Sequence, residues 1–228
     1  MPDLPRHIGY IIDGNRRWAK KHGLPTYEGH LAGYNALKEI VVETIGLGVP
    51  YVSIYAFSTE NWKRGKGEVG RLMRLVHRLV STDLDELLGK GIRLRFLGTE
   101  EGLKRQMVDD IALAQERSAG MRAGTVAVCF NYGGQREIAD AARQCLRDGL
   151  SPNEIDEAAL RRRLYAHDIP DIDMVVRTSG EQRLSNFMIW RSAYSELLFL
   201  DKFWPDMTKR DVQAIIDEYQ KRQRRFGG

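Results

Sequence analysis

Asp13 opens a run in which one carboxylate, one glycine and two guanidinium groups fall close together, Asp13-Gly14-Asn15-Arg16-Arg17-Trp18. Three more polar runs lack a packing rationale: Ser58-Thr59-Glu60-Asn61-Trp62-Lys63-Arg64, Asn131-Tyr132-Gly133-Gly134, and Arg177-Thr178-Ser179-Gly180-Glu181-Gln182-Arg183-Leu184-Ser185-Asn186. Guanidinium forks take phosphate oxygens in pairs, and backbone amides at a helix start, as after Gly14, add anion affinity. Arg16, Arg17, Arg64, Arg177 and Arg183 therefore point to a diphosphate. An aspartate among so many arginines is best explained by a bridging divalent cation, since Mg²⁺ takes one or two protein carboxylates and completes its shell with phosphate oxygens. The plainer alternative for Asp13 is a helix N-cap with an arginine partner.

What must position these side chains is legible in the apolar pattern. Branched apolar runs at 8–12, 51–57, 92–97, 125–130 and 174–176 read as strands. Between them, Val69, Leu72, Met73, Val76, Leu79 and Val80, then Leu103, Met107 and Ile111, recur at helical spacing. The alternation predicts an α/β fold, with a central parallel sheet flanked by helices in a single domain spanning 1–228. Each polar run follows a strand, and in such a sheet the loops at the carboxyl ends share one edge, where ligands bind. Ser151-Pro152-Asn153-Glu154 predicts a capped helix start, as does Thr208 with Asp211, the latter followed by Val212, Ile215, Ile216 and Tyr219 on one face.

Composition narrows the class further. With 228 residues, 43% of them hydrophobic, the chain has enough apolar mass for one large core. The net charge of +4 suits anionic ligands without demanding nucleic acid, and neither an aromatic RNA-binding motif nor a glycine clamp loop is visible. Two cysteines, Cys129 and Cys145, exclude a disulfide framework and read as buried thiols. No apolar run reaches the roughly 18 residues of a membrane span, and the first residues lack a secretory pattern, so the chain reads as cytosolic. Gly65-Lys66-Gly67-Glu68-Val69-Gly70 fits G-x-G-x-x-G, but residues 58–64 separate it from its strand, which argues against dinucleotide binding. There is no P-loop sequence, nor a D-D-x-x-D cluster to gather several ions, so any metal site is lean.

The polar runs, together with Gly29-His30 and Gly33, Trp190 to Glu196, Trp204-Pro205 and the terminal Arg224-Arg225-Phe226-Gly227-Gly228, closely resemble the cis-prenyltransferases, or undecaprenyl diphosphate synthases, over nearly the whole chain. The resemblance implies Mg²⁺-dependent condensation of isopentenyl diphosphate onto an allylic prenyl diphosphate, farnesyl or related, with each new double bond cis. It implies an apolar tunnel for the product, a homodimer, and at most transient membrane contact during product release. Carried over residue by residue, Asp13 is the metal-binding catalytic aspartate and Glu196 the second metal carboxylate. Gly14, Asn15, Arg16 and Arg17, with Trp18, Thr26 and His30, serve the allylic diphosphate. Asn61 assists proton removal, and Ser58, Thr59, Glu60, Trp62 and Arg64 form the substrate loop. Arg177, Arg183, Leu184 and Ser185 take isopentenyl diphosphate, and Arg225-Phe226-Gly227 matches an element that reaches the partner's site.

Two positions depart from the family pattern: Thr26 stands where many bacterial members carry arginine, and Arg16 where glycine is frequent. Arg16 is a candidate to supply the missing charge. Helical spacing in the Val69 to Leu88 stripe does not separate a filled core from a tunnel. Small residues at Ala56 and Gly124, near positions that line the tunnel by resemblance, favour a medium- or long-chain product over a short one. A non-catalytic partner subunit is the rival reading, opposed by the presence of Asp13, Arg17, Asn61, Arg177, Arg183 and Glu196.

Overall fold

The computed structural model describes residues 4–222. The apolar runs become β1 (His7–Ile11), β2 (Tyr51–Ser58), β3 (Ile92–Leu97), β4 (Gly124–Tyr132) and β5 (Met174–Arg177), and Glu196–Phe199 adds β6. They form a six-stranded sheet in the order β3-β4-β2-β1-β5-β6, parallel at every pairing. The edge strand β6 is short and partly exposed, so the apolar pattern does not announce it. β4 is buried at every residue, as expected of a strand covered by helices on both faces.

The helices are α1 (Asn15–Lys21), α2 (Thr26–Gly46), α3 (Lys66–Val80), α4 (Leu84–Gly89), α5 (Arg105–Ser118), α6 (Gly134–Arg147), α7 (Glu157–Arg161) and α8 (Lys209–Lys221). Thr208 and Asp211 form the predicted capping box of α8. The Ser151–Glu154 box instead closes a short 3₁₀ turn, Pro152–Glu154. α7 starts only at Glu157, where the Asp156 carboxylate accepts the Ala159 N–H at 2.7 Å. Asp156 satisfies one of the first amides of α7, which have no partner within the helix, and so sets its start.

One core joins Ile8, Tyr10, Ile54 and Val128 on one sheet face to α2, α3 and α8. The other joins Ile11, Ala127, Cys129 and Val175 to Phe187 and Met188. Both cysteines are buried and unpaired. α1 lies tightly on α2 because Gly29 has no side chain: a Cβ there would stand 2.1 Å from the Asn15 carbonyl oxygen. β1 sits between β2 and β5, so the loops leaving these three strands meet at its end, where Asp13 stands.

Candidate active site

The residues around Asp13 are held from several elements. Its backbone N–H donates to Thr178 Oγ1 at 3.0 Å, while the same hydroxyl donates back to the Asp13 carbonyl at 2.7 Å, tying β1 to the loop after β5. Gly14 turns the chain with φ 107°, a region that favours glycine, and a Cβ there would meet Phe203 at 2.9 Å. The Gly14 N–H donates to Asp13 Oδ1 at 2.7 Å, and Arg177 Nη2 donates to Oδ2 at 2.9 Å. Arg17 Nη2 lies 3.4 Å from Oδ1. The cap position of α1 is Gly14 rather than Asp13, so the plain capping role does not account for this carboxylate. In the loop after β5, Ser179, Ser185 and Asn186 hold left-handed backbone, with φ of 82°, 49° and 67°. Non-glycine residues rarely adopt that region, and such strain concentrates at functional loops.

Two cavities meet here. The larger, of about 960 Å³, opens at Asp13, Arg16, Arg17 and Arg183 and runs between the sheet and α2–α3 toward Leu94 and Val126. Its lower walls are apolar, with Leu37 and Val41 from α2, Leu75 and Leu79 from α3, and Ala56 from β2. This resolves the Val69 to Leu88 stripe: Leu72, Leu75, Val76, Leu79 and Leu87 both pack with the core and line the cavity, whereas Val69, Val80 and Leu84 pack with the core without lining it. The smaller cavity, of about 550 Å³, is lined by Ser58, Glu60, Arg177, Ser185 and Asn186 together with Ile11 and Ile12. Asp13, Tyr55, Asn61 and Arg64 line both.

Most residues singled out in the sequence therefore converge. Gly14, Asn15, Thr26 and His30 join the larger cavity. Asn61 accepts the Ser58 N–H on Oδ1 at 3.2 Å, so the group it can offer either cavity is its NH₂, a donor. Five residues do not line either cavity. Trp18 donates its indole N–H to Asp206 Oδ1 at 2.7 Å and stacks on His22, bracing α1 against the 3₁₀ turn at Trp204–Asp206. Thr59 bonds its neighbour Glu60. Trp62 donates to Asn131 Oδ1 at 2.7 Å and packs edge-on against Phe57, anchoring the segment after β2 to the end of β4. Leu184 packs with the second core.

Glu196 begins β6 in register with Met174, the first residue of β5, at the end of the sheet opposite Arg177. There it pairs with Arg222 at 3.0 Å, so one chain does not bring it to Asp13. Gly124 is likewise not a wall of the cavity, because Ile45 of α2 fills the space where its Cβ would stand, at 2.7 Å. Arg225-Phe226-Gly227 lies outside the described residues.

Two functional candidates escape the sequence reading. Glu68 Oε1 accepts from His30 Nε2 at 3.1 Å and from Arg64 Nη1 at 3.2 Å, coupling α2 to the segment after β2. Burial is the largest influence on His30 and pushes its pKa down, with the nearby Arg64 and Arg16 adding to the effect. Burial opposes ionisation of Glu68, yet the His30 hydrogen bond and the charges of Arg64 and Arg16 leave its pKa below the ordinary value. The pair is thus a neutral imidazole donating to a carboxylate. Glu181 bridges Arg17 and Arg183 across the mouth. Glu68 is hidden in the sequence by its place inside a G-x-G-x-x-G pattern, and Glu181 by the arginines around it.

Among the described residues no group of three or more His, Cys, Asp or Glu side chains could hold an ion by itself. Asp13, with its side chain 32% exposed on both cavities, fits the other kind of site, in which one carboxylate shares a Mg²⁺ with phosphate oxygens.

Fold and site define an α/β enzyme whose arginine-rich mouth joins a large, mainly apolar cavity to a smaller one that holds Arg177 and Ser185. The family described as putative undecaprenyl diphosphate synthase matches residues 11–227. The chain belongs to that family, the cis-prenyltransferases. It is 46% identical, over 99% of its length and 81% of the relative's, to a trans,polycis-polyprenyl diphosphate synthase ((2Z,6E)-farnesyl diphosphate specific) of Thermobifida fusca. It is 45% identical to an isoprenyl transferase of Thermotoga maritima, covering 99% of this chain and 97% of that one. The crystal structure of lavandulyl diphosphate synthase from Lavandula x intermedia, in complex with dimethylallyl diphosphate, aligns with TM-score 0.94 and 33% identity over 99% of each chain.

Proposed function

We propose that the chain extends an allylic prenyl diphosphate with isopentenyl diphosphate, releasing diphosphate and building a medium- or long-chain cis-polyprenyl diphosphate. The observation that carries this reading is the meeting of the two cavities at Asp13, Asn61 and Arg64. A condensation needs two substrates side by side, one with a hydrocarbon tail that must leave water. The apolar cavity suits the tail of the allylic substrate, and burial of that tail is favourable in proportion to its area. Its volume, at the upper end of ligand pockets, favours a longer product over a short-chain one.

In this reading Arg16 and Arg17 hold the allylic diphosphate at the mouth, while Arg177, Arg183 and Ser185 hold isopentenyl diphosphate. The allylic carbon–oxygen bond breaks, the isopentenyl double bond forms the new carbon–carbon bond at that carbon, and a proton leaves the isopentenyl unit. The guanidinium groups face the charge that grows on the leaving diphosphate. Mg²⁺ held by Asp13 would supply Lewis-acid stabilisation of the same charge. Asn61 offers a donor, so it orients phosphate, and the departing proton goes to a diphosphate oxygen. His30 is neutral beforehand, and its Nδ1 becomes a donor only when the ring takes up a proton.

Two copies of the chain would pair beside β6, where Tyr194 is 82% exposed and Leu197 also stands out; pairing is the route by which Glu196 could serve a site other than its own. No helix among the described residues is long and apolar enough to cross a membrane.

The test is incubation with radiolabelled isopentenyl diphosphate and, separately, geranyl, farnesyl and geranylgeranyl diphosphates, with Mg²⁺ or chelator, resolving products by length. Magnesium-dependent elongation is the expected result. No incorporation by folded, dimeric protein would transfer the reading to a non-catalytic partner subunit.

A further inference from the structure

The side wall of the apolar cavity contains a polar cluster that the reaction does not use. Tyr34 and Lys38, on successive turns of α2, line the cavity. Behind them the buried Asp83, between α3 and α4, accepts three donors on Oδ2: Tyr34 Oη at 2.7 Å, Arg78 Nε at 3.1 Å and Lys38 Nζ at 3.2 Å. The Arg78 guanidinium lies 5.5 Å from the centre of the Tyr34 ring, and the Lys38 ammonium 6.0 Å. This clasp joins α2 to the last turn of α3, whereas the His30–Glu68 bridge at the mouth joins α2 to the first turn of α3.

An apolar seam between the two helices would yield to a growing hydrocarbon, because one apolar contact replaces another at little cost. Parting Asp83 from its donors would strand a buried carboxylate, which is expensive. A seam closed by charges is therefore stiff where a seam closed by leucines is soft. Buried ionic groups add little to stability compared with apolar packing of the same volume, so the clasp calls for a role other than stability.

We propose that Asp83 is a positioning residue for product length: through Tyr34 and Lys38 it holds α2 against α3, so that the lengthening chain meets a fixed wall and is stopped at the cavity floor instead of parting the helices. The proposal rests on the elongation reading above. It is tested on the full chain with radiolabelled isopentenyl diphosphate and an accepted primer, measuring the first condensation and the final product spectrum separately. Asp83→Ala is expected to lengthen the longest product by at least one five-carbon unit while the first condensation keeps its rate within about threefold. Tyr34→Phe, which removes only the hydroxyl, shifts length in the same direction. Asp83→Asn, which keeps an acceptor for Tyr34, returns the spectrum toward that of the unaltered chain, and Glu86→Gln, whose carboxylate is half exposed and reaches only Lys38, leaves the spectrum as it was. Spectra unchanged in both Asp83→Ala and Tyr34→Phe overturn the proposal, and Tyr34→Phe alone decides where Asp83→Ala does not fold. Absence of any condensation by the unaltered chain overturns the elongation reading instead, so the two failures are distinct.

Discussion

Arg177 Nη2 stands 2.9 Å from Asp13 Oδ2, joining the end of β5 to the residue at which both cavities meet. The same guanidinium donates through Nη1 to the Arg183 carbonyl and to Ser185 Oγ. One buried side chain therefore sets the positions of the carboxylate and of the strained loop that faces the smaller cavity. Lysine lacks the planar fork and cannot make these contacts together. Arg177→Lys is expected to raise KM for isopentenyl diphosphate about 10- to 100-fold, the equivalent of about 1.5–3 kcal/mol for a charged hydrogen-bond set. KM for the allylic substrate should move much less, and steady-state kinetics with each substrate varied separately checks the difference.

Arg16 and Thr26 line the same cavity mouth, and Arg16 is close enough to His30 and Glu68 to shift both. Arg16 thus stands where it can replace the arginine frequent at position 26. Arg16→Gly should raise KM for the allylic diphosphate several-fold more than Thr26→Arg lowers it. Kinetics on the two variants measure this, and equal effects would remove the compensation.

His7, the first residue of β1, gives a pH dependence that belongs to folding. It is fully buried, with Nε2 2.7 Å from Ser53 Oγ and Nδ1 2.9 Å from the Pro170 carbonyl. Burial lowers its pKa from 6.5 to about 4, with the charge of Arg191 adding to the fall and Asp173 opposing it. Because the folded value lies below the unfolded one, the unfolded chain binds the extra proton. The stabilisation is complete above pH 6.5 and is lost as pH falls from 6.5 toward 4, by about 3 kcal/mol in all. Urea unfolding across that window should show the decline, and His7→Gln should flatten it.

Ala56 is a small residue on the sheet wall of the larger cavity. A leucine there would project into the space offered to the growing chain. Ala56→Leu should shorten the product spectrum by at least one five-carbon unit, read from the same chromatogram that gives the normal lengths. An unchanged spectrum would place the limiting wall elsewhere.

The strands with continuous branched residues, and the polar loops that follow them, are legible in the sequence because burial on both sheet faces leaves no alternation to confuse. β6 is not, since Glu196–Phe199 is short and half-exposed, and the Ser151 box misleads because the same chemistry caps a 3₁₀ turn as well as a helix. The site residues are found by type and position after strands, but their directions are not. Trp18, Trp62 and Leu184 look identical in sequence to residues that face the cavities, yet each packs or bonds away from them. Glu196 is a carboxylate in the expected block that one chain carries to the far end of the sheet. Whether Leu75 and Leu79 meet a void or other side chains depends on how far α2 and α3 stand apart, and helical spacing is the same in either case.

In the proposed reaction one chain holds two different diphosphates at once, on either side of Asp13. Calorimetric titration with isopentenyl diphosphate, in the presence of Mg²⁺ and a saturating unreactive thio-analogue of farnesyl diphosphate, tests it most directly. The expected result is one isopentenyl diphosphate bound per chain with the analogue still in place, and an about 10- to 100-fold weakening of that binding alone in Arg177→Lys. Displacement of the analogue by isopentenyl diphosphate, as expected of two ligands competing for a single site, would contradict it.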